Sequence, residues 1–466
     1  MKKLLLFIGF LLCILVNNSI FALAETNNDE NIIETNEIGN WPTGPELNAE
    51  SAFLYEANTG VILYAKNIHR HLYPASTTKM MTALLTAENC KMDEIVNFSH
   101  DAVFSLESGS SNIGIDPGQA LSVEECLYGL MVGSANEVAN ALAEHIGGSM
   151  DGFAELMNKR AEELGLKDTH YTNANGLNDP SHYTSAHDLA MVANEFFKNE
   201  YLSKIGNTPT YHFEPTATQP DDFYLRNKHK LINGDIQYVG IKGGKTGYTS
   251  EAGETLVTCA EQNGMKLICV IMNEVSPEQF NDTVKLFDYG FSNFAVTNVS
   301  ENEKKYTVES TNFFPTTVDI LGNSEQFLEL NKDNYIIMPK NITFQDLDTT
   351  LSYETKEASE VAYIEYSYHG AYLGYGCIDL IKDKKVTSAF DSTLSEELLK
   401  ETQTREKPVF INILNIFERV IIIALGLIIL NLIISVFINY NILDNFKSGK
   451  KYKKRKNRKD KGGLKF

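Results

Sequence analysis

Three short patterns contain side chains that are suited to acyl transfer. They are Ser76-Thr-Thr-Lys79, Ser134-Ala-Asn136 and Lys245-Thr-Gly247, in this order along a chain of 466 residues. Together they supply a nucleophile, a second hydroxyl, an amide and two amines, as in acyl-transfer enzymes that use lysine as the base. Each pattern alone is common in unrelated proteins, but the three in this order predict an active site.

The spacing of Ser76 and Lys79 predicts that they share one face of a helix over residues 76–89. A serine hydroxyl needs a base at neutral pH. A lysine amine serves as that base when burial or a neighbouring cation, such as Lys245, lowers its pKa. The N–H of Ser76 at the helix start is also free to donate to a developing oxyanion.

Hydrophobic periodicity and turn residues predict the elements that position these groups. Helices are predicted over 76–89, 122–132 (with a Ser122–Glu125 capping box), 137–146, 151–164 (with Asp151 as the cap), 185–198 and 277–291. Strands are predicted over 51–55, 61–65, 241–249, 255–262, 265–272, 361–368 and 371–381, the last two as one long hairpin. Asn263-Gly264 is typical of a type I′ turn and should place Ile268 opposite Cys259. These elements predict a mixed α/β domain.

Both ends of the chain carry export or membrane signals. Residues 1–24 have two lysines, an apolar run and Ala22-Leu-Ala24, which is typical of a cleaved signal peptide. Residues 413–443 are predicted to be a transmembrane anchor, since 420–443 contain no charge. The basic tail over 444–466 should stay cytoplasmic, which predicts a single-pass protein of the cell membrane with an extracytoplasmic catalytic part.

Composition divides the exported part into four predicted segments. Residues 25–45 are polar and predicted to be a flexible spacer, 46–299 a catalytic domain, 300–390 a small all-β domain, and 391–412 a linker. Residues 25–440 have 28 basic and 59 acidic residues, a difference of −31. We therefore expect no nucleic-acid partner.

The cysteines and histidines predict neither a disulfide framework nor a metal site. Five scattered cysteines follow the signal, and an odd number argues for free thiols. The histidines show no His-x-x-x-His pattern with a third ligand. The sequence therefore predicts an enzyme without a metal or another cofactor.

The three patterns and their surroundings resemble the serine D-alanyl-D-alanine carboxypeptidases, the low-molecular-mass penicillin-binding proteins of the peptidase S11 type. The resemblance spans about residues 46–390 and includes the stretches 74–83, 173–177, 245–249 and 252–253. It implies a β-lactamase-like α/β (α+β) domain with an antiparallel sheet flanked by helices, followed by a small all-β domain.

The resemblance implies three catalytic residues. Ser76 would be the acylated nucleophile, and its N–H one of two oxyanion donors. Lys79 would accept the proton of Ser76, and Ser134 would relay a proton to the leaving amine.

It also implies a substrate-binding set. Asn136 would orient the substrate amide, Lys245 and Thr246 would meet the terminal carboxylate, and the N–H of Tyr248, after Gly247, would be the second oxyanion donor. The implied substrate is the peptidoglycan stem pentapeptide, which would lose its terminal D-alanine, and β-lactams would act as covalent inhibitors.

Four alternative functions use the same motifs. A class A β-lactamase is disfavoured because the chain lacks a Glu-x-x-Leu-Asn loop. A peptidoglycan DD-endopeptidase or transpeptidase differs only in leaving group or acceptor, which the motifs do not fix. A penicillin sensor would need an effector, for which the short basic tail has no room.

Overall fold

The computed structural model describes residues 33–107, 109–306, 328–353 and 360–380. The predicted signal peptide, linker, anchor and basic tail lie outside these residues. Within the described part, no helix is long and apolar enough to cross a membrane.

The strands and helices of the described part are as follows. The strands are β1 (Ser51–Glu56), β2 (Ile62–Lys66), β3 (Ile95–Asn97), β4 (Ala120–Ser122), β5 (Thr210–Phe213), β6 (Phe223–Arg226), β7 (Ile241–Thr249), β8 (Gly253–Gln262), β9 (Met265–Glu274), β10 (Phe294–Asn298), β11 (Leu328–Leu330), β12 (Tyr335–Pro339), β13 (Asp348–Ser352), β14 (Glu360–Tyr368) and β15 (Ala371–Leu380). The α-helices are α1 (Lys79–Asn89), α2 (His100–Phe104), α3 (Val123–Tyr128), α4 (Asn136–Gly147), α5 (Met150–Glu163), α6 (Ala186–Lys198), α7 (Glu200–Gly206), α8 (Lys230–Asn233), α9 (Glu278–Asn293) and α10 (Val299–Asn302).

The central sheet is antiparallel, in the order β2-β1-β9-β8-β7. Asn263 and Gly264 both have positive φ, 50° and 79°, as a type I′ turn between β8 and β9 requires. Cys259 pairs with Ile268, so the predicted register is confirmed.

The sheet lies between two apolar layers, because side chains alternate along its strands. On β1, Phe53 belongs to the core beneath α1, α4 and α6, whereas Leu54 belongs to the core beneath α9 and the β-rich part. The predicted antiparallel sheet flanked by helices is therefore confirmed. Cys90, Cys126, Cys259 and Cys269 carry free thiols.

The β-rich part contains a sheet in the order β11-β15-β14-β13, and β14 and β15 form the predicted long hairpin. The predicted boundary between residues 299 and 300 does not separate two structural units, because β10, which precedes it, pairs with β12. Phe294 and Ile336 from these strands are buried in the same core.

Residues 33–45 do not form the predicted flexible spacer. They include a 3₁₀ turn, Glu34–Glu37, and the buried residue Trp41. The Trp41 indole donates a hydrogen bond to the Leu63 carbonyl oxygen at 3.1 Å, and its ring centroid lies 5.3 Å from that of Phe294. The prediction was wrong because it used the polar composition of this segment, which does not indicate long-range packing.

The helix caps show one confirmed prediction and one error. Ser122 and Glu125 form the predicted capping box at the start of α3. The cap of α5, however, is Ser149 rather than Asp151, because the Ser149 hydroxyl accepts the Gly152 N–H at 3.0 Å. Asp151 lies inside the first turn, where its charge still favours the helix dipole.

Candidate active site

The three sequence patterns meet at one cleft of about 680 Å³. A 3₁₀ turn, Ala75–Thr78, presents Ser76 and leads directly into α1. A π-helical turn, Gly129–Gly133, ends at Ser134, whose left-handed backbone (φ 60°, ψ 32°) redirects the chain into α4. The edge strand β7 supplies the third pattern.

The Lys79 amine lies beside Ser76 and is fully buried. Its Nζ lies 2.9 Å from Ser76 Oγ, 2.7 Å from Asn136 Oδ1 and 2.6 Å from the Asn175 carbonyl oxygen. The two amide oxygens only accept hydrogen bonds, so they take both N–H groups of a neutral amine. Its lone pair is then left for the proton of the Ser76 hydroxyl.

The electrostatic environment of Lys79 favours the neutral amine. Burial lowers its pKa well below the ordinary value, and the nearby cations Lys245 and Lys228 lower that pKa further, while Glu137 opposes the shift. The lowered pKa increases the share of the neutral amine, which is the form that can act as a base.

A second amine–hydroxyl pair joins the second and third patterns. Lys245 Nζ donates to Ser134 Oγ at 2.9 Å and to the Thr246 carbonyl oxygen at 2.9 Å. Burial and, after it, Lys228 lower the pKa of Lys245 to about 7. This amine can therefore either exchange a proton with Ser134 or meet a negative charge in the cleft.

Glycine allows β7 to pass close to the nucleophile. A Cβ atom at Gly247 would lie 2.9 Å from the Pro74 carbonyl oxygen and 3.0 Å from the Ser76 nitrogen. The neighbouring Tyr248 lines the cleft with an exposed side chain. The backbone of β7 and the N–H of Ser76 therefore border the same space, where an oxyanion would need donors.

Residues 39–276 match the model of the peptidase S11 family, D-alanyl-D-alanine carboxypeptidase. The chain belongs to this family. D-alanyl-D-alanine carboxypeptidase DacF of Bacillus subtilis is 39% identical over 252 residues, which are 53% of this chain and 63% of the relative. The match thus spans less than two thirds of that relative. DacD of Escherichia coli is 31% identical over 309 residues, 64% of this chain and 76% of the relative.

Solved structures of the S11 type show the same fold. Penicillin binding protein 5 from Haemophilus influenzae has a TM-score of 0.58 at 26% identity and covers 73% of this chain and 98% of its own. The Streptomyces K15 DD-transpeptidase has a TM-score of 0.51 at 27% identity, and the match covers 54% of this chain and 99% of the transpeptidase chain.

Three functional groups of this S11 site were not singled out from the sequence. The Asn175 carbonyl contacts Lys79, and its loop was noticed only through the family resemblance. Glu137 accepts the backbone N–H groups of Ile113 at 2.6 Å and Gly114 at 3.2 Å, which fixes the wall beside Ser111. Lys228 donates to Ser111 Oγ at 2.8 Å. The Asn175 and Glu137 contacts use backbone groups, and Lys228 and Ser111 are 117 residues apart, so none of the three leaves a local residue-type signal.

Lys242, just before the third pattern, does not line the active-site cleft. A bulge lies between Ile241 and Gly243. The Lys242 amine forms an ion pair with Glu261 at 3.1 Å and lines a separate groove. Its charge is therefore partly offset outside the cleft.

Proposed function

We propose that the protein is a serine-type D-Ala-D-Ala carboxypeptidase that removes the terminal D-alanine from peptidoglycan stem pentapeptides. The observation that carries this proposal is the buried Lys79 amine, 2.9 Å from Ser76 Oγ and fixed by two carbonyl-type acceptors. Family membership agrees with it. The reaction needs no cofactor or metal.

Acylation would begin when neutral Lys79 takes the proton of the Ser76 hydroxyl. Ser76 Oγ then forms a bond to the carbonyl carbon of the penultimate D-alanine. The N–H groups of Ser76 and Tyr248 would stabilise the oxyanion, in line with the close passage of β7.

The second amine–hydroxyl pair would serve the leaving group. Ser134 would relay a proton to the departing D-alanine nitrogen as the peptide bond breaks, and Lys245 with Thr246 would hold the D-alanine carboxylate. Asn136 would orient the substrate amide. Water would then release the shortened peptide from Ser76, with the Ser76 proton restored.

The same acylation would make β-lactams covalent inhibitors, because their strained amide offers a similar carbonyl and carboxylate to the cleft. A DD-endopeptidase would use the same residues on cross-linked peptides. A transpeptidase would use an amine instead of water as the acceptor. The similarity to the Streptomyces K15 DD-transpeptidase is the reason to test for this reaction as well. A penicillin sensor would form the adduct without turnover.

We also propose that the protein is exported by the signal over 1–24 and held in the cell membrane by a single span within 413–443. The catalytic part would then face the wall and the tail the cytoplasm. The uncharged stretch 420–443 and the basic tail support this arrangement. Membrane fractionation of the full chain against a chain ending at residue 405 tests it.

The direct test of the function is mass spectrometry of a synthetic muropeptide ending in two D-alanines. We expect loss of one alanine with the wild type and with Ser203→Ala, and at least about 1,000-fold slower loss with Ser76→Ala. Transfer of the peptide to an added amine would indicate a transpeptidase. Cleavage of cross-linked dimers without cleavage of the muropeptide would indicate an endopeptidase. An unchanged muropeptide would refute the proposal.

A further inference from the structure

Three different metal-binding side chains meet far from the active-site cleft. Cys90, Glu94 and His145 each place one ligand atom in a group whose members all lie within 4.8 Å of one another. His145 Nε2 lies 3.5 Å from Glu94 Oε2. Two ligands of a tetrahedral zinc ion, at about 2.0–2.1 Å from the metal, are separated by about 3.3 Å. The existing geometry is therefore close to what zinc requires.

The backbone fixes the position of two of these ligands. The Cys90 N–H donates to the Thr86 carbonyl oxygen at 3.0 Å as α1 ends. The Glu94 carbonyl oxygen accepts the Val123 N–H at 2.9 Å. The Lys91 N–H donates to Glu94 Oε1 at 2.8 Å, so the other carboxylate oxygen is directed towards His145. An outer hydrogen bond of this kind orients a metal ligand.

The ends of two helices add a favourable field for a cation. Cys90 is the C-cap of α1, and His145 lies in the last turn of α4. Unpaired carbonyl groups give each helix C-terminus a partial negative charge. Both helix ends therefore attract a positive ion, independently of the ligand set itself.

We propose that Cys90, Glu94 and His145 form a binding site for a divalent transition metal ion, with zinc as the preferred occupant. A thiolate, an imidazole and a carboxylate together favour zinc over calcium or magnesium, which prefer oxygen ligands. Glu94 and His145 are partly exposed, with 40% and 28% of their side-chain surfaces accessible. Water can therefore complete a four-coordinate site.

The role of this site is structural and separate from the proposed acyl transfer. Cys90 lies about 16 Å along α1 from Lys79, at about 1.5 Å per residue. The opposite ends of α1 and α4 carry Lys79 and Asn136. A bound ion would link the far ends of the two helices that hold these groups, and would stabilise their packing.

The experiment uses the full-length chain in detergent, stripped of metal and titrated with Zn²⁺ or Co²⁺. We expect one bound equivalent and a thiolate-to-cobalt charge-transfer absorption with the wild type. Cys90→Ser should lose that absorption, and His145→Gln should bind zinc at least about 100-fold more weakly. Zinc at a hundredfold excess over Kd should raise the wild-type Tm by about 5 °C, with no such rise in Cys90→Ser.

The matched control is His212→Gln, which removes a partly exposed histidine 2.6 Å from Asp222. It should retain the stoichiometry, the cobalt absorption and the zinc-dependent Tm. If Cys90→Ser fails to fold, Glu94→Gln provides the same comparison through zinc affinity. Failure of the wild type to bind metal, or equal binding by wild type and Cys90→Ser, would overturn the proposal. Neither result bears on D-alanine release, so the two proposals fail separately.

Discussion

At the scale of single residues, two buried amines define the proposed chemistry. Lys79 and Lys245 each contact a serine hydroxyl at 2.9 Å, and burial is the first cause of the lowered pKa of both. They were found from the sequence because Ser-x-x-Lys and Lys-Thr-Gly are residue-type patterns. The Asn175 carbonyl was not, since any residue can supply a backbone oxygen.

Removal of the Lys228 charge should move the pH profile of D-alanine release. In the proposed mechanism neutral Lys79 is the base, so kcat/KM should rise with pH through the pKa of Lys79. Charged Lys245 binds the carboxylate in that mechanism, so kcat/KM should fall above about pH 7. Lys228 lowers both pKa values. Lys228→Gln should therefore shift both limbs to higher pH, whatever it does to the maximum.

The control for this profile is Lys230→Gln. Lys230 also lines the cleft, but its amine lies 5.5 Å from the centroid of the Phe280 ring and is not among the causes of either lysine shift. Its removal should leave both limbs in place. Identical profiles for wild type and Lys228→Gln would show that Lys228 does not influence the two amines.

At the scale of elements, the site depends on how closely β7 approaches the turn before α1. The predicted strand and helix are confirmed, because their periodicity and glycines are local signals. The π-helical turn Gly129–Gly133 was instead predicted as ordinary helix to residue 132, since the sequence does not encode one extra residue in a turn. That turn ends at Ser134, whose hydroxyl accepts a hydrogen bond from the Lys245 amine at 2.9 Å, so this unpredicted turn helps to position the site.

A methyl group at residue 247 should separate β7 from the nucleophile. Gly247→Ala introduces a Cβ at 3.0 Å from the Ser76 nitrogen, and the strand must move. A displacement of about 1 Å can reduce a reaction rate about 100-fold, and we expect that loss in acylation by a labelled penicillin.

The matched control is Gly39→Ala, whose Cβ would meet only His369 atoms at 3.9 Å. It should acylate at the wild-type rate. Wild-type acylation by a folded Gly247→Ala protein would show that the close approach of β7 is not required.

At the scale of the whole molecule, one core joins parts that the sequence separates. Trp41, Phe294 and Ile336 come from the predicted spacer, the end of the predicted catalytic domain and the predicted β domain, yet share one buried cluster. Composition alone set those predicted boundaries. Composition could not show that these boundaries are wrong, because the residues that pack together in this core are distant in sequence. The same limitation hid His145 as a neighbour of Cys90.

Trp41 should therefore stabilise the entire fold rather than a local spacer. Trp41→Ala should lower the free energy of unfolding by about 3–5 kcal/mol, as expected for loss of a buried aromatic side chain. Trp41→Phe keeps an aromatic ring but loses the hydrogen bond to Leu63, so the free energy of unfolding should fall by only about 1 kcal/mol. Circular dichroism during urea denaturation measures both. Tyr353→Ala, at an exposed side chain, is the control. A cost below about 1 kcal/mol for Trp41→Ala would contradict the shared core.

The central claim is that Ser76 is the nucleophile that Lys79 activates. Its most direct test is peptide mapping by mass spectrometry after the full-length protein reacts with a penicillin. We predict one covalent adduct, on the peptide that contains Ser76, and none in Ser76→Ala. An adduct on another residue, or unmodified wild-type protein, would contradict the account.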